Sequence, residues 1–96
     1  MTPEQFQILL SDPTPPQDLP PTLMALWWDR RGDWQRAHEC AQADEGRDAA
    51  AVHAYLHRKE GDLPNARYWY ARAGSPVATS SLDGEWTGLV ERFASA

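Results

Sequence analysis

The stretch VHAYLHRKEGDLPNARYWYARAG, residues 52–74, reads as two helices joined by a tight turn. The first helix spans Asp48 to Glu60 and carries His53 and His57, four apart and so on one face. Gly61 permits a left-handed helix end, and Asp62 offers an oxygen to cap the helix that follows. That second helix runs through Tyr68, Trp69 and Tyr70 to about Ala73, where Gly74-Ser75-Pro76 stops it. The stretch is therefore a helical hairpin. Its open question is whether the two histidines are core residues or a site.

The same pattern occurs upstream. Laying 25–42 over 54–71, an offset of 29 (54 less 25), aligns Ala25 with Ala54, Gly32 with Gly61, Asp33 with Asp62 and Ala37 with Ala66. From Thr22 to Arg31 the apolar residues Leu23, Met24, Leu26, Trp27 and Trp28 cover more than one face, which predicts a largely buried helix. Gly32-Asp33 then turns the chain into a helix from Trp34 to about Ala43, and DEGRD (44–48) is a turn. A small Ala five residues after each Gly lets the paired helices approach closely. The two hairpins span 22–43 and 48–73.

The ends read as follows. Thr2-Pro3-Glu4-Gln5 is a capping box with Pro at the first helical position, opening a short helix over 2–11. Residues 12–21 form a proline-rich connector, expected to be extended and to lie against the domain. Ser80 or Ser81 caps a last helix over 81–94, with Trp86, Leu89, Val90 and Phe93 in one apolar stripe. No segment alternates with the period of a strand. The prediction is a single all-α domain over 1–96, two helical hairpins with a capping helix at each end.

Composition narrows the function classes. With 24% charged and 42% hydrophobic residues in 96, the chain has the make-up of an ordinary globular domain. Its net charge of −5 argues against nucleic acid, which is bound largely by neutralising phosphates, and against an anionic membrane surface. No run approaches the ~20 apolar residues of a membrane span. The opening MTPEQFQILL lacks a basic n-region and does not read as a signal peptide. A single cysteine, Cys40, suits a reducing compartment, so a cytoplasmic location is expected. Five tryptophans are expected to fill the seams left by Ala-rich helices.

The blocks GDWQRAHECAQ and GDLPNARYWYARAGSP resemble the second half of the tetratricopeptide repeat. Gly61, Asp62, Ala66, Tyr70, Ala73 and Pro76 lie near that family's pattern, and the likeness covers roughly residues 22–76. The second copy also resembles a HAYLH…GD…YWY block of small bacterial proteins of uncharacterised activity. The resemblance implies a short α-solenoid-like stack and a non-enzymatic module that binds a protein segment or a sister subunit. Its groove would be lined by the first helix of each hairpin, with Leu26, Asp29 and Arg30 from one and Ala51, Tyr55, Arg58 and Lys59 from the other. Tyr68, beside Trp69, should point away from the seam and is a further surface candidate.

In hairpins of this kind the positions of His53 and His57 face the partner helix, and their equivalents in the first copy are Met24 and Trp28. His38 could face the same seam, and Tyr70 sits on the opposing helix. One reading makes the histidines core residues, bonded to Tyr70, Asn65 or backbone carbonyls. The alternative is a small-molecule or metal site built from His38, His53, His57 and Tyr70. The metal version needs a third ligand near both rings, with His38 the first suspect and Cys40 or Glu60 conceivable. The spacing is not H-E-x-x-H and there is no Cys pair, so the expectation is core histidines, no metal and no cofactor. Cys40 has no base facing it, the carboxylates sit at turns and helix ends, and no phosphate loop or nucleophile elbow occurs. No catalytic residue is expected.

Overall fold

The computed structural model describes residues 1–94, which form helices α1 (Pro3–Leu9), α2 (Pro21–Arg30), α3 (Trp34–Gln42), α4 (Arg47–Glu60), α5 (Leu63–Ala73) and α6 (Leu82–Phe93). Residues 95 and 96, included in the expected domain, lie outside the described residues. There is no strand among the described residues, and none of the helices is long and apolar enough to cross a membrane. The all-helical expectation holds.

The turns are built as the local chemistry dictates. Thr2 accepts from the Gln5 N–H while the Gln5 side chain accepts from the Thr2 N–H, closing the capping box. Asp33 accepts from the Arg36 N–H at 3.1 Å and Asp62 from the Asn65 N–H at 3.3 Å, capping α3 and α5. Gly32 and Gly61 take φ of 81° and 87°, and each lets the N–H one residue further on reach back to a carbonyl near the helix end: Asp33 to Trp28, Asp62 to His57. Ala37 and Ala66 are both fully buried, as a close approach within each hairpin requires.

Helix α4 is the hub. Its residues Ala49 to His57 are all buried, and it packs on α2, α3, α5 and α6. The connector before α2 tucks in Leu19, which is buried, and its N–H turns back to the Pro16 carbonyl at 3.4 Å. The terminal helices, expected one at each end of the hairpins, pack on each other instead. Phe6 of α1 meets Trp86 of α6 at 6.1 Å between ring centroids. The Trp86 indole N–H reaches the Leu26 carbonyl at 3.1 Å, so α6 lies across α2 and α4. The physical reason is the α6 stripe itself: Trp86, Leu89 and Val90 need an apolar surface, and the faces of α2 and α4 supply it.

Two glycines give opposite outcomes for the same substitution. A Cβ at Gly61 would meet nothing within 4 Å, so Gly61→Ala carries only the left-handed backbone strain and lowers stability by about 1–2 kcal/mol. Gly88, inside α6 and equally open, gains helix propensity from Gly88→Ala and raises stability by roughly 0.5–1 kcal/mol. Urea denaturation measures both, and equal signs would contradict the assigned turn.

Candidate functional site: three imidazoles between α3, α4 and α5

The chain's three histidines converge. His38, half-buried on α3, and His53 and His57, buried on α4, each offer a ligand atom, and these atoms all lie within 4.8 Å of one another. His53 Nε2 and His38 Nε2 stand 2.9 Å apart. One nitrogen must donate and the other accept, so two charged rings would break the contact. His57 Nδ1 meets the Glu60 carboxylate at 2.7 Å. A carboxylate at Nδ1 holds the proton there and leaves the Nε2 lone pair free.

Tryptophans fix the ring planes. Trp69 of α5 stacks on His53 at 3.8 Å and 10°, and His53 stacks on His57 at 4.9 Å. A second stack pairs Trp34 with His38, four residues apart on α3, at 4.8 Å and 12°. His38 stands edge-on to His53, at 88°. The Trp34 indole N–H is anchored on the Leu56 carbonyl at 2.8 Å, which ties α3 to α4 beside the trio. Two ring columns thus cross at right angles.

Burial lowers the pKa of His53 to about 4, with the neighbouring His38 and His57 adding to the shift. Burial also lowers His38, and His57 adds to that effect, while Glu60 and Glu39 oppose it. Both rings are therefore neutral near pH 7, the form in which imidazole binds metals. Cys40 is half-buried, and its thiol is pushed up by burial and then by Glu39, which disfavours the reactive thiolate.

Most of the other predicted site residues lie away from the histidines, on the α2–α4 side against which α6 packs. Leu26, Asp29, Ala51 and Tyr55 are buried and line no open groove. Asp29, 3% exposed, accepts from Tyr55 Oη at 2.6 Å and Lys59 Nζ at 2.8 Å. Arg58 pairs with Glu85 at 2.8 Å and Arg30 with Asp83 at 3.1 Å, both partners being on α6. Tyr70 donates to Glu85 at 2.6 Å, so it belongs to this network and not to the histidines. Tyr68 is exposed, with Arg72 donating to its hydroxyl at 3.2 Å. The structure thus brings together His38, His53 and His57 and separates Tyr70 from them. The parts that residue spacing missed are Trp34 and Trp69, which stack on the rings.

Beside the trio an open cavity of about 440 Å³ is lined by Gln42, Asp44, Glu45, His53, Trp69 and Arg72. No protein-family model, curated protein or solved structure matches the chain.

The depressed His53 pKa sets a pH dependence. Between about pH 6.5 and 4 the unfolded chain binds a proton that folded His53 refuses, so stability rises with pH across that window. Stability should therefore fall by on the order of 2–3 kcal/mol as pH drops from about 6.5 to about 4. Urea denaturation in chelator-treated buffer should show this slope in the parent and most of it gone in His53→Gln. Parallel curves would contradict the buried neutral ring.

Proposed function

We propose that this chain is a metal-binding helical domain in which His38, His53 and His57 hold a divalent transition ion, zinc foremost. The observation that carries the reading is the meeting of all three histidines, from two helices, with ligand atoms within 4.8 Å. Sequence spacing favours core histidines, but the metal version requires a third ligand near both rings, and the His38 ligand atom lies within 4.8 Å of theirs. Two zinc-bound nitrogens at 2.0–2.1 Å and tetrahedral angles stand about 3.4 Å apart, so coordination would open the 2.9 Å contact of His38 with His53 by about 0.5 Å and turn His57 out of its stack on His53.

The surroundings support the same reading. Glu60 on the Nδ1 of His57 is the carboxylate–histidine arrangement that orients a ligand ring and raises its basicity. The tryptophan stacks hold the other rings in place. Three nitrogen donors favour zinc and its neighbours over magnesium or calcium, which take oxygen.

A second reading, the protein-interaction module of tetratricopeptide-like type, keeps one support on α5. Tyr68 and Leu63 of that helix are about half exposed, an aromatic and an aliphatic side chain each open to a protein partner or a second copy. The groove expected of that module is filled by α6, which weighs toward the metal reading.

The test is zinc titration followed by melting temperature. An ion that binds only the native state stabilises by about 2.7 kcal/mol at a hundred times its Kd, a rise of several degrees or more in a domain this size. The shift should be lost in His57→Ala and in His38→Ala, each read against its own metal-free melting temperature. No shift in the parent, or one that survives both variants, would leave the trio a purely structural cluster.

A further inference from the structure

The cavity beside the imidazoles has walls of opposite charge. The end of α3 and the turn after it supply Gln42, Asp44 and Glu45; α5 supplies Trp69 and Arg72; His53 is in the lining. Asp44 is held in place by its own turn, its Oδ1 accepting from the Gly46 N–H at 2.8 Å. Glu45 has no ion-pair partner among the described residues. Arg72 has none either: it donates to Tyr68 Oη and lies 5.2 Å from the centre of the Trp69 ring. Two carboxylates and a guanidinium thus line one cavity with an aromatic ring, and no ion pair joins them among the described residues. An anion alone would meet the acidic wall, and a cation alone the basic one. A molecule that carries both charges satisfies both walls.

We infer that this cavity binds a small zwitterion of the α-amino-acid or short-peptide class. The carboxylate sits on Arg72, whose planar fork suits it, and the ammonium on Asp44 and Glu45. An apolar side chain lies along Trp69. A volume of about 440 Å³ is in the range of small-molecule sites, roughly 300–1,000 Å³. This inference does not rest on a bound metal, because none of its charged groups is a histidine.

A matched set of probes tests it: L-phenylalanine, 3-phenylpropionate, which lacks the amine, and phenethylamine, which lacks the carboxylate. Each is titrated into the chelator-treated protein while backbone amide and Trp69 indole resonances are followed by NMR. L-Phenylalanine should move the signals of Gln42, Asp44, Glu45, Trp69 and Arg72, and bind about tenfold or more tighter than either analogue, the ratio that 1.4 kcal/mol represents. Arg72→Gln should remove the advantage of L-phenylalanine over phenethylamine. Asp44→Asn with Glu45→Gln should remove its advantage over 3-phenylpropionate, and the amide oxygen introduced at position 44 still accepts from the Gly46 N–H, so the turn survives. Absence of shifts at millimolar probe, shifts elsewhere on the surface, or a single-charge analogue binding as tightly would overturn the inference. The zinc experiment is read separately, so a failure there is not a failure here.

Discussion

A helix buried on all sides must find a partner for every polar group it carries, and α4 is such a helix. Burial of Ala49 to His57 leaves His53, Tyr55 and His57 with almost no access to water. An orphaned buried donor or acceptor costs about 1–3 kcal/mol, enough to matter against the stability of a small domain. Each is answered close by: Tyr55 by Asp29 on α2, His53 by His38 on α3, and His57 by Glu60 one turn further along α4. The packing of α4 is thereby specified by hydrogen bonds as well as by area.

This constraint also divides the molecule into two faces. On one, two bonded clusters tie the helices together: Tyr55 and Lys59 on Asp29, and Arg58 and Tyr70 on Glu85 of α6. Burial, followed by the bonds to Asp29 and Glu85, pushes the Tyr55 and Tyr70 hydroxyls upward, so both stay protonated donors. On the other face the partners are imidazoles, and a neutral pair bridged through Nε2 can take up a metal ion once the donor ring's proton moves to its Nδ1, which frees both Nε2 lone pairs. The three imidazoles meet on that second face, and His53 also lines its open cavity.

What was legible in the sequence was local. Gly32 and Gly61 announce helix ends because only glycine takes their positive φ cheaply, and Asp33 and Asp62 announce helix starts because a carboxylate can reach an N–H three residues on. The shared face of His53 and His57 follows from four-residue spacing. What could not be read depends on contacts between residues far apart in the chain. The α2–α4 face looks like an open groove until Trp86 reaches Leu26 and Asp83 reaches Arg30, and no local pattern foretells that α6 fills it. Likewise Tyr70 reads as a neighbour of the histidines but turns to Glu85, because α5 presents Trp69 to His53 instead. The place of His38 depends on how α3 docks on α4, which the Trp34 indole bond to Leu56 helps to fix.

Coordination by the trio, as proposed, differs from a buried hydrogen-bonded cluster in what surrounds the ion. X-ray absorption at the zinc edge, on protein loaded with one equivalent of the metal, tests it most directly. The account predicts three imidazole nitrogens at about 2.0–2.1 Å, with the outer-shell scattering of their rings. A first shell made of oxygen with a single imidazole, or one containing a sulfur at about 2.3 Å from Cys40, would contradict it.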